Sequence, residues 1–82
     1  MSFDKDTWND ALGRVIRRER EAMGIAQAEF SKNLGFGEHT IGAIERGQRS
    51  CYMETLYTIA TEGFGLSVSD LVLATEREIK RT

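Results

Sequence analysis

Apolar positions recur along this 82-residue chain at spacings of three and four rather than two, and most of the runs stop at a glycine. In the first run Trp8, Leu12, Val15, Ile16 and Met23 share a face, with arginines on the others. This predicts a helix from about Thr7 to Met23, capped by Asp6 or Thr7 and stopped by Gly24. Phe30 and Leu34 mark a second helix over about Gln27 to Leu34, and Ile41 and Ile44 a third over about Glu38 to Arg46, with Gly47 as its stop. Gly35-Phe36-Gly37 supplies the break between them. Past a turn at Gln48 to Cys51, the residues Met53, Leu56, Ile59 and Ala60 predict a fourth helix to about Glu62, closed by Gly63-Phe64-Gly65. Ser67-Val68-Ser69-Asp70 fits a capping-box-like start for a fifth, with Leu66 placed to staple onto Leu71. That helix carries Leu71, Val72 and Leu73 and is expected to fade into the charged tail TEREIKRT. No run has the strand period and proline is absent, so the expected fold class is all-α, a compact five-helix domain spanning residues 1–82.

The length suits one small domain, since domains of about 55–65 residues already fold without staples. A large active-site cavity is not expected. The lone Cys51 has no partner for an internal disulfide, and no Cys/His cluster shows metal-ligand spacing. A reducing cytoplasm is therefore the expected compartment, with Cys51 a buried or half-buried structural thiol. The acidic start MSFDKDTWND lacks an apolar signal core, and no run approaches the roughly 18 apolar residues of a membrane span. No cofactor, membrane or small-molecule ligand is expected.

The net charge of −2 argues weakly against nucleic acid, because DNA-binding domains are typically basic. Its distribution matters more. Between Ala11 and Ser50 seven basic residues (Arg14, Arg17, Arg18, Arg20, Lys32, Arg46, Arg49) outnumber five acids, and the flanks carry the negative excess. Such a chain can present a basic stripe while remaining acidic overall. An enzyme is not expected, because the single histidine, His39, has no nucleophile-and-base arrangement implied by spacing and no phosphate-loop glycine pattern is present. The paired carboxylates Glu19/Glu21 and Glu76/Glu78 read as solvated helix surface.

The stretch GIAQAEFSKNLGFGEHTIGAIERG, from Gly24 to Gly47, describes two short helices joined by a tight turn. With Arg17 and Arg20 before it, Gln27 opening the second helix, Gly35 in the turn and TIGAIERG at the end, it resembles the lambda-repressor-like helix-turn-helix family, also called Cro/CI or XRE. The match runs from about Leu12 to Leu73, between an acidic N-terminal extension and a charged C-terminal tail. The resemblance implies that the second and third helices form the helix-turn-helix and that Arg20 and Glu45 form a structural ion pair. It implies that the third helix enters the major groove of double-stranded DNA, with Glu38, His39, Gly42 and Ala43 facing the bases. Gln27, Thr40, Arg46, Gln48 and Arg49 match positions for the DNA backbone. Chemically, Glu38 suits cytosine N4, His39 a guanine acceptor and Ala43 a thymine methyl.

Four residues depart from the family pattern. Ala26 stands where a capping Ser, Thr or Asn is usual, and Ser31 where a small apolar residue is usual, so its hydroxyl needs a partner inside the motif. Gly42 sits mid-helix, admitting either close approach of DNA or a partner, or drift on an exposed face. Glu38 brings a carboxylate to a face meant for phosphates, although it also suits a helix's first turn. The implied function is a sequence-specific transcriptional regulator, a repressor or autoregulator, reading a pseudo-palindromic operator as a homodimer with half-sites about 34 Å apart. Its dimer surface is expected within the last two helices, with Tyr52, Tyr57, Phe64, Val68, Val72 and Ile79 as candidates. The alternative is a protein-binding module, such as a toxin-antitoxin antitoxin or a coactivator-like bridging factor, whose acidic flanks bind another protein.

Overall fold

Asp4, rather than Asp6 or Thr7, starts the first helix in a computed structural model that describes residues 3–81. Its carboxylate accepts from the amides of Asp6 and Thr7 at 3.0 and 3.3 Å and from the Thr7 hydroxyl at 2.9 Å. These bonds, the hydroxyl's foremost, hold the Asp4 pKa below its ordinary value, because they favour the charged form. Five α-helices follow: α1 (Lys5–Ala22), α2 (Gln27–Asn33), α3 (Thr40–Glu45), α4 (Met53–Thr58) and α5 (Val68–Arg81). No strand occurs among the described residues. Left-handed glycines at 24, 35 and 47 follow α1, α2 and α3, the conformation in which a residue lacking Cβ ends a helix without strain.

α1 is the spine of the domain, packing against both α3 and α5. Its Leu12, Val15 and Ile16 meet Phe30 of α2, Ile41 and Ile44 of α3, Leu56, Ile59 and Ala60, and Leu71 of α5 in one buried cluster. The period thus identified the centre of each apolar face correctly, while Met23, Met53 and Leu73 at the ends of their runs are exposed. Contact between α1 and α3 is unusually close at Gly13. A Cβ built there would lie 2.6 Å from the Glu45 carbonyl oxygen and 2.7 Å from that of Ile44. Backbone atoms cannot yield as side chains do, so α1 can cross the end of α3 this closely only with glycine at that position.

The second half of the fold corrects three expectations. The fourth helix is α-helical only to Thr58, after which Ile59–Gly63 winds as a π-helical turn. Phe64 stacks on Phe30 at a centroid distance of 5.2 Å, and the Gly63 backbone rests on the rim of the same ring. The charged tail does not fade: α5 continues to Arg81. Nor is Glu78 solvated surface, because it is buried, receiving Arg14 at 2.9 Å and Arg18 at 3.0 Å, with Arg81 at 3.6 Å. The Arg14 and Arg18 hydrogen bonds hold its carboxyl below the ordinary carboxylate range. The start of α5 follows the sequence, with Ser67 Oγ accepting from the Asp70 amide at 3.0 Å. Cys51 is half-buried against the core, and desolvation pushes its thiol up to about 11, away from reactivity.

Candidate nucleic-acid interface

Three segments converge on one carboxylate. Arg20, near the end of α1, donates from Nε to Glu45 Oε2 at 2.7 Å and from Nη2 to Oε1 at 3.1 Å, while Nη1 reaches the Ile25 carbonyl at 2.7 Å. Gln27, opening α2, donates from Nε2 to Glu45 Oε1 at 2.8 Å. Only 9% of the Arg20 side chain and 2% of the Glu45 side chain remain exposed, so the pair is geometrically complete and nearly dry. Its first consequence is on Arg20 itself, whose pKa the Glu45 hydrogen bond raises above the ordinary value, outweighing desolvation. The second is rigidity: the end of α1, the start of α2 and the end of α3 are tied at a single point. Charges this far from water are held by fork-to-fork hydrogen bonds, and losing one partner leaves the other stranded.

The turn between α2 and α3 is fixed from within. Gly35 adopts φ +78°, and the Phe36 amide returns to the Ser31 carbonyl at 2.9 Å. Ser31 is fully buried, and its Oγ accepts from the Ile41 amide at 3.1 Å. That bond supplies α3 with a side-chain acceptor that its own N-cap, His39, does not provide. The hydroxyl at a position where an apolar residue is usual therefore serves the start of α3. Ala26, by contrast, gives α2 no side-chain cap.

α3 begins at Thr40, two residues later than the sequence pattern suggested. The Thr40 amide bonds Gly37 and the Ala43 amide bonds His39, so Glu38 and His39 form the turn entering the helix rather than its first turn. Both are exposed. Thr40 and Ala43 are half-buried, and Arg46, Gln48 and Arg49 are exposed beyond them, with Arg46 Nε donating to Gln48 Oε1 at 3.0 Å. Gly42 is buried, not a position on an exposed face. It forms the floor of a shallow cleft that Gln27, Ala28, Glu38, His39 and Arg46 surround. Ala28 was not anticipated; its place one residue after Gln27 at the start of α2 was the available signal. Among the described residues no group of His, Cys, Asp and Glu could hold a metal, and no helix is long and apolar enough to cross a membrane.

The apolar residues in and around α4 and α5 divide into two groups. Phe64, Val68 and Val72 pack against the core, and Ile79 is half-buried. Tyr52 and Tyr57 remain exposed, joined by Met53.

Residues 16–71 match the helix-turn-helix family HTH_3. Over 65 residues, 79% of this chain and 83% of the relative, the sequence is 32% identical to the uncharacterized HTH-type transcriptional regulator y4dJ of Sinorhizobium fredii. The fold is similar to two crystal structures of the clp gene regulator ClgR from Corynebacterium glutamicum, each 22% identical. Their TM-scores are 0.80 and 0.77, covering 89% and 88% of this chain and 77% and 91% of theirs.

Proposed function

This chain belongs to the helix-turn-helix family, and from that membership we propose that it is a sequence-specific transcriptional regulator reading a pseudo-palindromic operator as a homodimer, with α3 in the major groove. The observation that carries the proposal is the asymmetry of α3. Ile41, Ile44 and Glu45 are held inside, while the polar turn at Glu38 and His39 and the cation at Arg46 surround an open cleft against the start of α2. A rigid helix with an exposed polar entry is what base reading requires.

Within this reading Glu38, His39 and Ala43 face base edges, with Glu38 accepting from cytosine N4 in place of a repelled contact to phosphate, while Gly42, expected beside them, is buried and lacks a side chain to reach a base. Thr40, Gln48 and Arg49 serve the backbone, fixing register without carrying sequence information, whereas Arg46, expected there from the sequence, lines the cleft. Gln27 also serves it: one Nε2 proton is committed to Glu45, and the second remains for a phosphate oxygen. Tyr52, Met53 and Tyr57 form the exposed apolar surface from which we take the dimer contact, since the other candidates are engaged in or near the core.

Selection of bound duplexes from a randomised pool, followed by titration at several salt concentrations, tests the proposal. The expected result is a two-fold-related pair of half-sites about one helical turn apart, with affinity falling steeply as salt rises. His39→Ala and Ala43→Ser should change base preference, and Arg49→Ala should weaken all sequences alike. Recovery of no preferred sequence would reject the proposal in favour of a protein-binding module.

A further inference from the structure

Glycine is the poorest helix former after proline, yet one occupies the middle of the six-residue α3 and is buried there. A Cβ at Gly42 would lie 3.1 Å from Gln27 Oε1 and 3.1 Å from Arg46 Nη1, tighter than an ordinary van der Waals contact to either. Both side-chain ends therefore border the place of the missing Cβ, closely enough that each would have to give way slightly to admit it. Neither lies there freely. Glu45, an acceptor only, holds the Gln27 amide by its nitrogen and so turns its oxygen toward Gly42, and Gln48 holds Arg46 by its Nε. The outcome is an acceptor from α2 and a cationic donor from the end of α3, both bordering Gly42 in the cleft.

We infer that Gly42 is a specificity-determining position through what it omits: the missing Cβ lets Gln27 Oε1 and Arg46 Nη1 converge as one reading pair for a G·C edge. The inference rests on the DNA-binding reading and deepens it by naming a positioning role for a residue that makes no base contact of its own. The pairing follows from hydrogen-bond chemistry. Guanine offers the acceptors O6 and N7 that arginine favours, and its cytosine partner offers the N4 amino group that only an acceptor can receive. Glutamine supplies that acceptor through Oε1 while its second N–H remains for a phosphate, and alanine at 42 would push the two groups apart.

The test is Gly42→Ala with the site selected by the wild-type chain. Melting temperature should hold close to wild type, because alanine favours the helix and the obstructing atoms are the ends of the Arg46 and Gln27 side chains, which need give way only slightly. Affinity for the selected site should fall by about tenfold, the scale of one well-made base contact, while affinity for random duplex changes by less than about twofold. In an Arg46→Ala background the same substitution should change selected-site affinity by less than about twofold, since interacting positions are non-additive. A full loss in that background would overturn the inference, as would no loss in the wild-type background or a selected half-site lacking a G·C pair that responds to Arg46→Lys. Amide resonances of the Gln27 side chain without DNA keep the spacer role testable even if the chain selects no sequence. They should shift on Gly42→Ala, and unchanged resonances would refute the role.

Discussion

The two sides of α3 and its flanking residues obey different rules although they share one short stretch of backbone. Inward, Ile41 and Ile44 are fully enclosed, Gly13 lets the α1 backbone touch the helix end, and Glu45 is saturated by Arg20 and Gln27. Outward, Glu38, His39 and Arg46 are exposed, and Arg46 Nε donates to Gln48 Oε1. The inner side has little freedom to vary without loss of the fold. The outer side can vary with little effect on stability, which is the separation a regulator needs if its target is to change while its scaffold does not.

Breaking the inner side should give the largest effect. Glu45→Ala strands the Arg20 guanidinium in a nearly dry site, for a loss of about 3–5 kcal/mol. A domain of this length has about 4–12 kcal/mol in total, so chemical denaturation should show a protein near its folding threshold. Gly13→Ala comes next, at about 1–3 kcal/mol, because the new methyl group meets carbonyl oxygens that cannot rotate away. Thermal melts would check it. Ser31→Ala removes the acceptor of the buried Ile41 amide and should cost about 1–2 kcal/mol, with faster hydrogen exchange at that amide as its signature.

A smaller effect is expected from acid. Glu78 has a folded pKa below its ordinary 4.5, so its contribution is fully present above that value and is lost as pH falls through the lowered one. The protection of amides in the last turns of α5, relative to the intrinsic exchange rate at each pH, should therefore fall as pH drops below 4.5, and Arg14→Ala with Arg18→Ala should flatten that response. The smallest stability effects belong to the outer side. His39→Ala and Arg49→Ala should each lie within about 0.5 kcal/mol of wild type while altering DNA binding.

What the sequence disclosed follows the same division. Helix positions, the glycine stops and the central core residues were legible because a 3.6-residue period is a local signal. Ser31 was legible as a question, since a hydroxyl inside an apolar stripe demands a partner, and Ile41 proved to be that partner. Asp4 was missed because it lies upstream of the first apolar residue on which the cap prediction was hung. The π-helical turn lies against the Phe30 ring, and the burial of Glu78 depends on arginines more than 50 residues away, neither of which leaves a trace in neighbouring residues. The cleft was half legible. Gln27, Glu38, His39 and Arg46 were named, but the burial of Gly42 beneath Gln27 and Arg46 is a property of two helices meeting.

The central claim is that the outer side of α3 reads DNA while the inner side only holds it. The most direct test is the ratio of affinities for the selected duplex and a scrambled duplex, measured for a variant combining Glu38→Ala, His39→Ala and Arg46→Ala alongside its melting curve. The predicted result is a melting temperature close to wild type with a ratio reduced nearly to one. A variant that keeps the wild-type ratio would contradict the account.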